Sequence, residues 1–237
     1  IRREADKMGN MELPKLGVED IIKALDGVCN GNVDEAGSTR PLLECVTSGV
    51  LRGAVVMLGC DGSEVRDKQE YASLMKKLLA NDIVLLAIGY PVEVAQEAGL
   101  LNPEAKSFCG AGLRRVCELA EIPPVLPLGG LENIGNVVTI AQALSADSGL
   151  EVAALPIAGC DAAGVSAQAV ELGNTFTGLG VDTFIGIMPY EGELADVIAA
   201  SGLKDGPQAK HTVSCNLDEL GDAIIADIEK KREALTI

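Results

Sequence analysis

The sequence predicts an α/β fold of the doubly wound kind, a mostly parallel sheet of five to six strands with helices on both faces, and three observations predict it. The 237 residues are 48% apolar but only 3% aromatic, and the apolar mass is Ala, Val, Leu and Ile with 27 Gly. That composition suits helices packed closely on a buried parallel sheet better than an aromatic-rich sandwich. From Arg52 onward, short apolar runs alternate with amphipathic helical segments, the rhythm of βα units. Several of the helical segments also open on recognised start signals, Pro91 and Pro103 in a first turn and Asn216 ahead of Asp218 and Glu219.

The first fifty residues form a lead-in, and residues 51–237 form the Rossmann-like domain. Within the lead-in, Val18 to Leu25 has helical spacing, Asp26 to Arg40 is loop-like in its Gly, Asn and Asp content, and Pro41 to Val46 restarts a short helix. Strands are expected at Ala54 to Leu58, Ile83 to Ile88, Pro124 to Leu128, Val152 to Ile157 and Thr183 to Ile187, with a short one at Thr212 to Val213. Helices are expected at Asp67 to Ala80, Pro91 to Ala98, Pro103 to Leu119, Asn136 to Asp147, Ala163 to Leu172, Glu193 to Ala200 and Leu217 to Ala234. Lys230, Lys231 and Arg232 suit the negative end of the last helix, and a solvated face accounts for them.

Charge and hydropathy exclude several partners. With 35 acidic against 19 basic side chains the formal charge is -16, and no basic run interrupts the acidity, which argues against nucleic acid and anionic membrane surfaces. The apolar runs fall far short of the roughly 20 residues that span a bilayer. No leader-like segment opens the sequence and its first residue is Ile1, so a stretch of a longer cytoplasmic protein is expected. Seven scattered cysteines without a CxxC pair read as reduced thiols, each by default a small buried hydrophobe.

In a doubly wound sheet the functional groups gather where strands end. The expected strand ends deliver Gly59-Cys60-Asp61-Gly62, Gly89-Tyr90-Pro91, Gly129-Gly130-Leu131-Glu132-Asn133, Gly159-Cys160-Asp161 and Pro189-Tyr190-Glu191. The first turn lacks the GxGxxG of a dinucleotide site and puts acids where phosphate would lie. The Gly129-Gly130 turn is as well explained by a tight bend as by an anion cradle. The single His211 has no placeable Ser or Cys beside it and reads as an exposed or capping residue, while Asp61, Asp161 and Glu132 could equally cap helices. Cluster ligation needs several soft thiolates, and the edge offers two, Cys60 and Cys160.

Two long stretches carry a resemblance: Ser48-Gly49-Val50-Leu51-Arg52-Gly53-Ala54-Val55-Val56-Met57-Leu58-Gly59-Cys60, and Phe108-Cys109-Gly110-Ala111-Gly112-Leu113-Arg114-Arg115-Val116-Cys117. With Leu79 to Leu85, Ala98 to Leu101, Pro123 to Leu126, Ala169 to Gly173 and Ile228 to Arg232, residues 15–237 resemble the C-terminal domain of the anaerobic nickel-iron carbon monoxide dehydrogenases, relatives of the hybrid cluster (prismane) proteins. The resemblance implies an oxidoreductase with an iron-sulfur cluster and nickel, and a cluster thiolate at Cys60. It also implies that two further cluster cysteines are replaced, by Tyr90 and Leu131, and that the catalytic lysine is replaced by Gln168. Leu131 cannot ligate a metal and Gln168 carries no charge to offset a developing carboxylate. What remains is a degenerate ligand set, Cys60 joined by Cys160, Glu93 or Glu132, completed by N-terminal and middle cluster domains outside this stretch. The expected chemistry is carbon monoxide and carbon dioxide interconversion or a related two-electron reduction. Hydroxylamine reduction and a non-catalytic scaffold are the alternatives. A homodimer or larger complex and a ferredoxin-type electron carrier are the partners the resemblance implies.

Overall fold

A computed structural model describes residues 40–59, 67–130, 134–163, 167–187 and 202–237. The first helix, α1 (Arg40–Thr47), leads into β1 (Gly53–Gly59), α2 (Lys68–Ala80), β2 (Ile83–Gly89) and α3 (Tyr90–Glu97). A 3₁₀ turn (Pro103–Phe108), α4 (Ala111–Ala120), β3 (Val125–Pro127) and α5 (Ile134–Ser148) follow. A second 3₁₀ turn (Val152–Ala154) precedes β4 (Ile157–Asp161), α6 (Ala167–Gly178), β5 (Thr183–Gly186), β6 (His211–Ser214) and α7 (Leu217–Leu235). The expected helices at Val18 to Leu25 and Glu193 to Ala200 lie outside the described residues.

The six strands form one sheet in the order β3-β2-β1-β4-β5-β6, every neighbouring pair parallel. This is the doubly wound order, in which the chain starts at the centre and winds outward in both directions. The pleat separates two faces. Gly159 presents its missing side chain to Phe176 of α6, and Ile185 and His211 approach Gly173 of the same helix. On the opposite face Gly186 lies against Leu217 of α7, and Gly221 of α7 approaches Leu74 and Lys77 of α2. Covered on both sides, β2 is buried from Ile83 to Ile88, which is why it reads as an unbroken apolar run. Val55, Met57, Leu78, Leu79, Leu85, Val125, Ile224 and Ile228 form the centre of the core.

Three expectations fail for identifiable reasons. The fourth strand is not Val152 to Ile157 but Ile157–Asp161. Residues Val152–Ala154 coil into a 3₁₀ turn, and Pro156 enters the sheet only through its carbonyl, which accepts from Ala54 N at 3.1 Å. Gly159, which looked like a turn, is a strand residue because a Cβ there would sit 3.2 Å from Phe176. The helix expected over Pro103 to Leu119 is broken at Cys109, whose ψ of 152° is extended, and Gly110. Asp82 intrudes at the break: its Oδ1 accepts from Leu113 N at 2.8 Å and lies 2.4 Å from where a Gly110 Cβ would be. Nor are the last three charges a solvated face. Only Lys230 is exposed, whereas Lys231 bonds the Ile157 carbonyl and pairs with Asp182 and Asp227 at 3.0 and 2.8 Å. Arg232 is buried, its Nη1 donating to the carbonyls of Val46, Leu51 and Arg52.

Candidate functional site at the carboxyl edge of the sheet

The winding reverses between β1 and β4, so the crevice expected of this fold opens where Gly59 and Asp161 end their strands. The described part of that edge is tightly built. A Cβ on Gly59 would lie 3.0 Å from Pro91 and 3.3 Å from Ala163, and one on Gly186 would lie 2.8 Å from Leu217 and 3.0 Å from Ala162. Gly89 adopts φ 72° and ψ -132°, open only to glycine, and its N–H donates to the carbonyl of Gly129 at 2.9 Å, joining the turns after β2 and β3.

Tyr90 follows Gly89 at the start of α3. It is buried, and its ring meets Tyr71 edge to face with centroids 6.1 Å apart. The Tyr71 hydroxyl is wholly buried and donates to the Leu58 carbonyl at 3.1 Å; burial, with Cys160 and Asp161 nearby, pushes its pKa well up. Lys68 lies 5.8 Å above the Tyr90 ring and pairs with Glu97 and, at 3.9 Å, with Glu93. Tyr71 is the member of this group that sequence reasoning missed. Its rarity was visible, since the chain has only 3 Tyr and 3 Phe, but its contact partner was not.

Asp161 closes β4 with 2% exposure. Its Oδ1 accepts from Ala163 N at 3.1 Å, while Oδ2 meets no hydrogen-bond donor among the described residues. Burial, only partly offset by the Ala163 N–H, pushes the carboxyl up to about 7. Cys160, by contrast, is not an edge residue. With β4 running to Asp161 it sits inside the strand, fully buried between Met57 and Phe184 on the α7 face, and burial drives its thiol further from ionisation. Soft-metal ligation needs the thiolate, so this position is a poor ligand.

The remaining candidates divide. Cys60, Asp61, Leu131 and Glu132 lie outside the described residues, and Gln168 falls in the first turn of α6. Glu93 is exposed and faces Lys68. His211 begins β6, at the end of the sheet away from the crevice; its ring is nearly buried rather than exposed, with Nδ1 3.3 Å from Asp205. Cys45 is disulfide-bonded, against the expectation of reduced thiols throughout, whereas Cys109, Cys117, Cys160 and Cys215 form no disulfide. Among the described residues no three His, Cys, Asp or Glu side chains come together as a metal site. With Tyr90 turned into the aromatic core and Cys160 enclosed in a strand, the described edge does not by itself fit a metal cluster. No helix among the described residues is long and apolar enough to cross a membrane.

The fold and its crevice define a doubly wound α/β domain of the Rossmann-like class, and comparison with known proteins narrows the class to a family. The model of the Prismane/CO dehydrogenase family matches residues 3–210. Carbon monoxide dehydrogenase 1 of Methanosarcina acetivorans is 31% identical over 219 residues, covering 92% of this chain and 33% of that protein. The carbon monoxide dehydrogenase/acetyl-CoA synthase subunit beta of Moorella thermoacetica is 29% identical over 159 residues, 63% of this chain and 24% of that subunit. An as-isolated, Ni-free crystal structure of the carbon monoxide dehydrogenase from Thermococcus sp. AM4 superposes with a TM-score of 0.76 at 27% identity, covering 92% of this chain and 33% of that one. The chain belongs to the Prismane/CO dehydrogenase family and matches the C-terminal domain of a carbon monoxide dehydrogenase-like protein. It spans about a third of the length of the full-coverage relatives it matches.

Proposed function

We propose that this chain is the C-terminal domain of a divergent carbon monoxide dehydrogenase-like oxidoreductase, serving carbon monoxide and carbon dioxide interconversion or a related two-electron reduction. The observation that carries the proposal is the family match over residues 3–210, on a sheet whose reversal point keeps Gly59 and Asp161 at the edge where this fold places ligands. Cys60 is the thiolate this domain contributes, following directly on Gly59. The rest of an iron-sulfur cluster, with or without nickel, is held by domains outside the chain, in a homodimer or larger complex served by a ferredoxin-type carrier. In that arrangement the domain acts mainly as a wall. Tyr90, Pro91 and Ala163 are buried at that edge, and Asp161 holds a carboxyl poised near neutrality beside them.

A second reading, a scaffold subunit that has lost its ligands, is favoured by one feature: Tyr90 is locked against Tyr71 and offers no thiolate where the family resemblance expects one. Anaerobic iron, nickel and sulfide analysis with an optical spectrum on the longest native form, wild type beside Cys60→Ala, separates the two. Iron that is lost with Cys60→Ala supports the oxidoreductase and calls for turnover tests with carbon monoxide and hydroxylamine. Metal absent from both forms, or unchanged by the substitution, supports the scaffold.

A further inference from the structure

The second half of α7 meets the amino ends of β4 and β5 through a group of charges that the proposed function does not use. Lys231 reaches across that junction, its Nζ donating to the carbonyl of Ile157, the first residue of β4, at 3.0 Å. The same nitrogen lies 3.0 Å from Asp182 Oδ2 and 2.8 Å from Asp227 Oδ2. Two carboxylates thus converge on one ammonium, and their Oδ2 atoms stand no further apart than those two distances together allow. All three side chains are largely buried, 11% exposed for Lys231, 15% for Asp182 and 17% for Asp227. With both acids ionised the group holds one negative charge more than its lysine neutralises, where water screens it poorly.

The two acids are not equivalent. Asp182 is fixed as a carboxylate, because its Oδ1 also accepts from Lys210 N at 3.0 Å. Asp227 Oδ2 is buried beside the ammonium but makes no aligned hydrogen bond among the described residues. Burial, with the Asp182 charge, holds the Asp227 carboxyl above the ordinary range in spite of Lys231, whereas at Asp182 burial is outweighed by the Lys210 N–H and Lys231, which hold it below. The other charges on the surrounding elements stand further out. Lys210, Lys230 and Asp205 are exposed along a groove of about 800 Å³ that is also lined by Asp182 and Asp227, and His211 turns to the opposite face, against Gly173. The groove gives water, and with it protons, a path to the pair.

We propose that Asp182, Asp227 and Lys231 form a proton-sensitive clamp: the two acids hold one proton, on Asp227, when α7 is docked on the amino ends of β4 and β5, and losing it loosens that docking. With the proton in place one carboxylate faces one ammonium; without it two carboxylates repel each other across the same nitrogen. Asp227, raised in the folded chain, contributes stability below its unfolded value and loses it as pH rises through the folded one. Asp182, lowered, contributes above its unfolded value and loses it as pH falls through the folded one. The clamp is therefore firmest between the two titrations and weaker on either side. The same turns of α7 carry Glu229, paired with Arg52, and Arg232, which donates to the carbonyls of Val46, Leu51 and Arg52. The stretch of helix that the clamp docks is thus the one that holds the segment between α1 and β1. It lies at the amino end of the sheet and works whether or not metal is bound at the carboxyl edge.

The test is amide hydrogen exchange of the full chain, read by mass spectrometry from about pH 3 to about pH 8, with each rate divided by the intrinsic rate of the unfolded peptide at that pH. In the wild type, protection of the α7 peptides that contain Asp227 and Lys231 should pass through a maximum and fall severalfold towards both ends of the range, while β2, on the far side of β1, stays level between the maximum and the alkaline end. Asp227→Asn keeps the shape of the side chain without its titration, so it should retain the acid fall and lose the alkaline one. A wild-type profile with no maximum, an alkaline fall that survives in Asp227→Asn, or one that β2 shares in equal measure would overturn the proposal. The wild-type profile and its comparison with β2 need no variant to fold.

Discussion

Asp161→Asn isolates the energetic cost of the carboxyl at the reversal point. In the folded chain burial raises this group from 3.8 to about 7, with one oxygen bonded to Ala163 N and the other without a donor among the described residues. An acid whose folded pKa lies above its unfolded value contributes stability at pH below the unfolded pKa and loses that contribution as pH rises through the folded pKa. A shift of that size, at about 1.4 kcal/mol per unit, costs the wild type roughly 4 kcal/mol once both states are ionised. Asn keeps the acceptor for Ala163 N and abolishes the titration, at a cost of about 1–3 kcal/mol for burying an unpartnered amide N–H. The absolute sign at any one pH therefore depends on that cost, whereas the slope does not. Relative to wild type, the variant should gain about 3 kcal/mol between about pH 4.5 and about pH 8. Urea unfolding of both proteins across that range measures it, with the midpoint difference read at constant m. Parallel curves for the two proteins would refute the argument, since they would mean that Asp161 titrates alike folded and unfolded.

Two further substitutions probe the frame that positions the edge. Gly112→Ala forces a Cβ to within 1.8 Å of the Val50 carbonyl, and because the opposing atom is backbone and cannot rotate away it should cost about 3 kcal/mol or more, read as a lowered urea midpoint. Arg232→Met keeps the apolar stem but strips the donor shared by Val46, Leu51 and Arg52; a loss of roughly 3 kcal/mol is expected, with faster amide exchange at the segment joining α1 to β1. Full stability in Arg232→Met would show that the buried guanidinium does not hold that segment in place.

What was legible in the sequence was whatever burial imposes periodically. β1, β2 and β5 emerged within a residue or two because strands covered on both faces must be continuous apolar runs. The start of α7 emerged because Asn216 accepts from Asp218 N and Glu219 N, a local arrangement that needs no tertiary information. β4 was hidden because its most strand-hostile residue, Gly159, is there to admit Phe176 from α6, seventeen positions away in a helix the local pattern cannot weigh. That shift changed the site: it moved Cys160 from an open turn into the core and made Asp161, one residue on, the group at the edge. The Tyr71–Tyr90 contact was illegible for the same reason, since it joins residues of two helices whose relative placement no spacing rule supplies.

The proposed contrast between a family frame and altered ligand positions follows from where each would be encoded. The glycines that let strands and helices approach, Gly53 against Pro156, Gly59 against Pro91 and Ala163, and Gly186 against Ala162 and Leu217, are each fixed by backbone or core contacts that would clash with any larger residue. Replacing them costs stability whatever the protein does, so they hold the frame independently of chemistry. Ligand positions are under no such constraint. At Tyr90 an aromatic ring gains an edge-to-face contact with Tyr71 and a place in the core, worth about 0.5–1.5 kcal/mol beyond the area it buries. In the reading proposed above, a metal thiolate at this position has given way to that packing. By the same logic a retained thiolate is the informative one: Cys60 stands directly after a glycine that the packing does explain, and whether iron follows it decides between an oxidoreductase and a scaffold.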